Sequence, residues 1–434
     1  MNILLIGQCT LHWGRMEFGN IGNYYIIEPF VRELHRVFPN ATIKTTFQMS
    51  EEFCIREKIT VLPMDYYYGW TGNDLDVALK EIEIAEKYAI TGMFEEVTPY
   101  IEAVMDADLI IDYSGDIWGD NANLLGRDRF LVGLYKDLVA QKLSKTIVML
   151  AGSPGPFSDN ESKKIAKEVF KGFDLVTNRE PISKDILNKN GFDVEHVQSL
   201  ACPSFLFEPS KDSYVNTLLN NEKILGSCEP IVGFVLCGWN FTQGPFDKWP
   251  RDDEEYTVFA EAIEFISESI GAKVYLMSHS NGFPIPPKEF KLIHGRDYPI
   301  IKQLQRIIND RGIAKNVFAL DEAYDAWTTK AIIGHFDMLV GGRVHSTVAS
   351  TSQCVPTVII DYGHEPKAHK LRGFAKVISM DNYVANPSKK HDLINKIDQC
   401  WNDRVIIRRI LEEKIPLVKK MASQNFDLLP GLIK

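Results

Sequence analysis

Short, unbroken apolar runs alternate with stretches of helical spacing along almost the whole chain, and this alternation limits the fold more than any other feature. In the first half the runs are 2–7, 42–47, 108–111, 146–151 and 174–177; in the second they are 231–237, 273–277, 317–320, 338–340 and 355–360. Runs this short, apolar throughout and bounded by turn-forming residues, predict strands buried on both faces, as in parallel sheets. The stretches 24–38, 124–143, 254–270, 298–311 and 325–334 between them predict helices. Parallel strands joined by right-handed helical crossovers give an α/β class protein with one parallel sheet in each half. The chain has 434 residues, more than one hydrophobic core supports, so two domains are expected. The periodicity lapses around 203–222, where polar residues dominate, which places the link there. The expected units are 1–222, 223–400, and a closing segment 401–434 whose amphipathic helix (402–422) braces the other two. The carboxyl ends of both sheets then face an interdomain cleft.

Composition narrows the function. A net charge of −10 argues against a general nucleic-acid binder or an anionic-membrane surface. The seven cysteines, at 9, 54, 202, 228, 237, 354 and 400, show neither a disulfide framework nor metal-ligand spacing, which fits a reducing, cytoplasmic setting. The opening MNILLIGQCT lacks a basic signal-peptide region, and no apolar run reaches the length of a membrane span. No cofactor is demanded, a magnesium requirement stays open, and the oligomeric state is not written in the sequence.

The stretch DMLVGGRVHSTVASTSQCVPTVIIDYGHEPKAHKLRGF, residues 337–374, carries the densest chemistry. Strand, Gly341-Gly342 turn and helix start leave backbone N–H groups unpaired where an anion can be held. Arg343, Val344 and His345 stand at that turn and add a cation and a titratable ring. A basic loop with His364, Lys367, His369, Lys370 and Arg372 follows and could close over the same anion. Earlier, GNIGN places Asn20 and Asn23 in a turn after the first strand, without the G-x-G-x-x-G dinucleotide fingerprint. The stretch DYSGDIWGDN offers Asp112, Asp116 and Asp120 either as a base and sugar ligands or as turn caps. GSPGPFSD offers the Ser153 hydroxyl, TNREPIS sets Arg179 at a strand end as an anion ligand or a surface partner of Glu180, and SHSNG supplies His279. The aromatic segment 66–73, YYYGWTGN, suits a loop near an acceptor cleft or an insertion packed on the surface.

Six of these islands, in this order, resemble the polysaccharide pyruvyl transferase family: GNIGN, SGDIWGD, GSPGPF, TNREPIS, the Arg-x-His turn with its small-residue helix and V-P-x-x-x-I strand, and the stretch ending in Lys370 and Gly373. The resemblance implies two Rossmann-like domains in a glycosyltransferase-B-like arrangement. It implies a cell-envelope transferase that moves the enolpyruvyl group of phosphoenolpyruvate to a sugar or glycan precursor as a pyruvate ketal. Arg179 and Arg343 then bind the donor's phosphate and carboxylate, and His345 beside them protonates its methylene carbon. One departure matters: the family's aspartate in the first motif is Asn23 here, and an amide cannot take a hydroxyl proton. Asp116, then Glu17, then Asp112 are the substitutes in order of preference. Two other readings stay open. One is a nucleotide-sugar glycosyltransferase with Asp361 or Glu365 binding the nucleotide; the other is a non-catalytic sugar- or phosphate-binding member.

Overall fold

The computed structural model describes residues 1–9, 16–242, 249–281, 296–362 and 368–433. His364, Glu365 and Lys367 lie outside the described residues. The first sheet contains β1 (Asn2–Ile6), β2 (Thr42–Thr45), β3 (Ile59–Val61), β4 (Leu109–Asp112), β5 (Ile147–Gly152), β6 (Leu175–Asn178) and β7 (Val197–Ser199). They run in the order β3-β2-β1-β4-β5-β6-β7. The second sheet contains β8 (Ile231–Val235), β9 (Lys273–Leu276), β10 (Val317–Ala319), β11 (Met338–Gly341), β12 (Thr357–Ile360) and β13 (Val384–Ala385), in the order β10-β9-β8-β11-β12-β13. Every paired strand is parallel, as double-sided burial of the apolar runs requires.

The period of two along β1 shows where its faces go. Leu4 and Ile6 enter an aromatic core with Trp118, Phe130 and Phe170 on the outer side of the first sheet. Ile3 and Leu5 point the other way, into a core that runs without a break through Phe30, Phe207 and Phe234 into the second lobe. The two lobes therefore share apolar packing beneath the cleft that separates their strand ends.

Several helices differ from their sequence outlines for local reasons. The stretch 124–143 begins as a 3-10 turn, Asp120–Leu124, and becomes an α-helix only at Arg129–Lys142, after Asp128 takes a left-handed backbone angle (φ 53°). The region 254–270 is a 3-10 turn, an α-helix over Thr257–Glu264 and a π-helical turn over Phe265–Ser269. The basic segment read as a loop is a helix from Ala368 to Val377, so His369, Lys370 and Arg372 ride on a rigid element. The polar stretch 203–222 holds a 3-10 turn, Pro203–Leu206, and a helix, Ser213–Asn221.

The closing helix, Asp392–Asp427, is longer than its sequence outline. Its first half packs on β12, β13 and the helix Thr257–Glu264 of the second lobe. Its end reaches the first lobe, where Phe426 meets Phe30 edge-on (5.0 Å) and Asn425 accepts a hydrogen bond from Thr177 Oγ1 at 2.6 Å.

Candidate active site

In each sheet the strand order turns round at its first strand: β1 lies between β2 and β4, and β8 between β9 and β11. The crevice beyond the carboxyl ends at such a switch point is where open α/β sheets hold ligands. Here the two switch points face each other. From the first lobe, the turn after β1 brings Asn20, Gly22 and Asn23, the loop after β4 brings Asp116, and the end of β6 brings Arg179. From the second, β8 leads to Trp239, β9 to His279, β11 to Arg343, Val344 and His345, β12 to Tyr362, and the helix Ala368–Val377 supplies Lys370. These residues line one cleft with about 570 Å³ of empty space. Of the residues put forward from the sequence, Asn20, Asn23, Asp116, Arg179, His279, Arg343, Val344, His345 and Lys370 are among them, and Ser153 lies behind the wall.

Each functional side chain is held from behind. Arg179 is buried, donates from Nε to Ser153 Oγ at 2.8 Å, and lies 3.5 Å from the Asp116 carboxylate through Nη2. Ser153 thus orients the guanidinium instead of meeting a ligand. Its loop is locked to the one carrying Asp116, because Ser153 N–H donates to the Gly115 carbonyl (2.7 Å) and Gly155 N–H to that of Trp118 (2.8 Å). The two glycine-rich motifs, read separately in the sequence, are one interlocked platform. Asp116 also pairs with the Lys370 ammonium, an ion pair that crosses between the lobes. On the far wall, Arg343 donates a fork of hydrogen bonds to Asp297, Nε to Oδ2 at 2.7 Å and Nη2 to Oδ1 at 2.5 Å. The same Asp297 accepts from the His279 backbone N–H at 3.1 Å.

Glycines let the lobes meet this closely. A Cβ on Gly22 would stand 2.4 Å from His345 Nδ1, and one on Gly373 would stand 2.2 Å from Glu180 Oε2. An antiparallel bridge between Asn20 and Ser280, with Asn281 N–H donating to the Gly19 carbonyl at 3.0 Å, fastens the rim. The cleft is closed.

The electrostatics are those of an anion site. Among the described lining residues, three cations, Arg179, Arg343 and Lys370, stand against one carboxylate, Asp116. Burial opposes the charge of Arg343, but Asp297 outweighs that penalty and keeps its pKa above the ordinary guanidinium value. Burial, then the neighbouring Arg179, brings His345 down to a pKa of about 3, so its ring is neutral in the ligand-free cleft. His279 is likewise held well below the usual imidazole range by burial and by His345. Both ring nitrogens of His279 and Nε2 of His345 are buried without a hydrogen-bond partner among the described residues. Unpaired buried polar atoms are rare in folded proteins, and these rings belong to residues that line the cleft.

The other sequence candidates fall elsewhere. Glu17, on the 3-10 turn Met16–Phe18, is not part of the cleft lining. Asp112 is fully buried behind it, where Ser114 N–H donates to Oδ1 at 2.7 Å. Asp361 pairs with Arg372 and lines a different groove. Trp239, Tyr362 and Asp297 are site residues that spacing did not single out. Asp297 directly precedes a helix and has the look of a cap, yet it makes no side-chain cap bond.

This arrangement, with its motifs in order across two facing lobes, coincides with a match to the polysaccharide pyruvyl transferase family model over residues 20–364. The chain belongs to the polysaccharide pyruvyl transferase family. It is a transferase of polysaccharide biosynthesis. The amylovoran biosynthesis protein AmsJ of Erwinia amylovora is 23% identical over 440 residues, covering 96% of this chain and 98% of AmsJ. Solved structures of the same architecture include a glycosyltransferase from Rickettsia africae ESF-5 (TM-score 0.59, 12% identity, 100% of this chain and 98% of that one). Another is Anabaena Alr3699/HepE in complex with UDP and glucose (TM-score 0.58, 13% identity, 99% and 100%). A third is the UDP-GlcNAc 2-epimerase of Methanocaldococcus jannaschii (TM-score 0.54, 14% identity, 93% and 93%). At such identities the likeness establishes the two-lobed glycosyltransferase-B fold of this pyruvyl transferase family member. No helix among the described residues is long and apolar enough to cross a membrane.

Proposed function

We propose that this protein transfers the enolpyruvyl group of phosphoenolpyruvate to two hydroxyls of one sugar in a polysaccharide or its precursor, leaving a cyclic pyruvate ketal and phosphate. The observation that carries the reading is the convergence of Arg179 from one lobe and Arg343 from the other on a single closed cleft. A small acid with a phosphate and a carboxylate presents two anionic groups, and two guanidinium groups on facing walls suit both.

The residues divide the work. Phosphoenolpyruvate draws Arg179 and Lys370 toward its oxygens, which releases Asp116 from its two cationic partners. Asp116, the one carboxylate among the described lining residues, then takes the proton of the attacking hydroxyl. The incoming negative charge offsets what holds His345 neutral, and the protonated ring gives its proton to the methylene carbon, which becomes the methyl group. A carbon–oxygen bond forms at the neighbouring carbon. The second hydroxyl then displaces phosphate there, and its proton leaves with the phosphate. The books balance without an oxidant or reductant: one phosphoenolpyruvate and one diol give one ketal and one phosphate.

The test is phosphate release from phosphoenolpyruvate that requires a sugar diol. His345→Ala is expected to lower turnover ~10²–10⁴-fold while donor binding persists; full activity in that variant would remove the ring from the mechanism. In a thermal-shift series, phosphoenolpyruvate is expected to stabilise the protein where UDP- and GDP-sugars do not. Donor binding with no phosphate release under any acceptor would instead identify a sugar- or phosphate-binding member.

A further inference from the structure

The closing helix, Asp392–Asp427, carries two apolar stripes where its packing on the two lobes needs one. The inner stripe, with Ile407, Leu411, Ile415 and Val418, is buried. The outer stripe runs through Ile406 (60% exposed), Ile410 (39%) and Leu417 (58%), with Val405 (57%) at its flank. Single exposed apolar side chains are ordinary on a protein surface. These are not scattered: Ile406, Ile410, Glu413 and Leu417 follow at intervals of four, three and four residues, the heptad spacing by which one helix seats on another. Arg408, Arg409, Glu412 and Glu413 are exposed along the same stretch, and none pairs with an opposite charge among the described residues. On other helices Arg32 closes on Glu28 and Arg306 on Asp310, each four residues apart and each at 3.2 Å. Arg408 and Glu412, and Arg409 and Glu413, have that spacing and stay open. Two cations followed by two carboxylates form a series that complements itself when reversed. A parallel copy sets like charge on like, and an antiparallel copy sets arginine on glutamate.

We propose that the outer stripe is a dimer face, occupied by the same stripe of a second copy of this chain running antiparallel. A twofold axis at the level of Leu411 sets Arg409 opposite Glu413 of the second copy, because the two lie equally far from the axis on either side. It sets Val405 and Ile406 opposite Leu417 of the second copy, and Ile410 beside its own counterpart. Every contact then occurs twice, and the pairing closes without leaving a free end. The seam from Asn402 to Lys420 is about 27 Å long. Charge of both signs on the stripe disfavours an anionic lipid surface as its occupant, and the net charge of −10 does so further. No described residue of the cleft lining belongs to this helix, so pairing there takes nothing from the site.

The experiment is analytical ultracentrifugation of the full chain over a concentration series. A single helix pair is a small interface, so the wild-type protein is expected to pass from monomer to dimer in the micromolar range. Arg409→Glu sets two carboxylates face to face on each side of the axis, and Glu413→Arg sets two guanidinium groups there. Each is expected to weaken dimerisation at least about tenfold at low salt. Arg409→Glu combined with Glu413→Arg restores opposite charges and is expected to dimerise as the wild type does. An equimolar mixture of the two single variants is expected to form a heterodimer, since each supplies the charges that the other lacks. Ile410→Lys, at the axis, is expected to be monomeric throughout. All three positions are exposed, so these variants are expected to fold. Wild-type protein that stays monomeric at every concentration overturns the proposal; if it then pellets with vesicles of anionic phospholipid, the stripe faces lipid instead. A dimer that survives Ile410→Lys, or a mixture no more associated than its components, places the contact elsewhere and overturns it equally. Neither donor binding nor phosphate release enters these readouts, so the result stands apart from the reaction proposed above.

Discussion

Gly22→Ala adds one methyl group and removes no functional atom, which makes it a sharp probe of the closed cleft. The new Cβ would stand 2.4 Å from His345 Nδ1, 2.9 Å from Cγ and 3.0 Å from Cβ. Ordinary contact begins near 3.4 Å, so the shortfall at Nδ1 is 3.4 − 2.4 = 1.0 Å. Rotating the imidazole relieves the clash at the ring but leaves the His345 Cβ in place. The helices Ile21–Val37 and Val344–Thr351 must therefore part by several tenths of an ångström. Overpacking of this kind costs ~1–3 kcal/mol. The better helix propensity of alanine returns up to ~1 kcal/mol, so the net loss is modest and the melting temperature falls by a few degrees. Catalysis is less forgiving, because a displacement of ~1 Å at the reacting groups lowers the rate ~10²-fold. Donor-dependent phosphate release should thus drop by about two orders of magnitude while the protein stays folded. Gly22→Ala combined with His345→Ala keeps the contact between the two Cβ atoms, so it should recover little of the melting temperature and none of the activity. Wild-type kcat/KM in Gly22→Ala refutes the reasoning, because the contact would then be absent from the working state.

Other expectations follow from the buried charges. Arg343→Ala strands Asp297, which is fully buried, so urea unfolding should show a loss of ~3–5 kcal/mol; Arg343→Met with Asp297→Asn should be milder, and an equal loss in both would place the cost elsewhere. Lys330 is 1% exposed, donates to the Phe207 carbonyl, and is brought down to a pKa of about 7, chiefly by burial. Between pH 7 and the unfolded value near 10.4 the unfolded chain binds more protons, so stability should rise with pH across that window. Lys330→Met should flatten that rise in a series of thermal melts, whereas an unchanged slope would exclude Lys330 as its source.

How much of this was legible in the sequence depended on the range of the interaction. The strand–helix order and the Arg343–His345 turn are local, set by apolar runs and two glycines, and the chain shows them directly. The meeting of Arg179 with Arg343 is not local, and only six motifs in family order pointed to it. Ser153 lies in a motif yet serves Arg179 from behind, a role that turns on which way one hydroxyl faces. Asp297 was hidden because its partner is 46 residues away and because an aspartate before a helix already has an explanation. The basic segment looked like a loop because its charges mask an apolar face: Leu371, Phe374 and Ala375 are buried while the exposed side carries Arg372.

The long closing helix has a mechanical meaning. At 36 residues it is a rod of about 54 Å, stapled to the second sheet at one end and to Thr177 and Phe30 at the other. Two leaves riveted to one spine cannot slide past each other or twist freely. Opening the cleft would have to part the rim at Asn20 and Ser280, above an apolar core that both lobes share. The interlobe pair of Asp116 and Lys370 would have to break in the same opening.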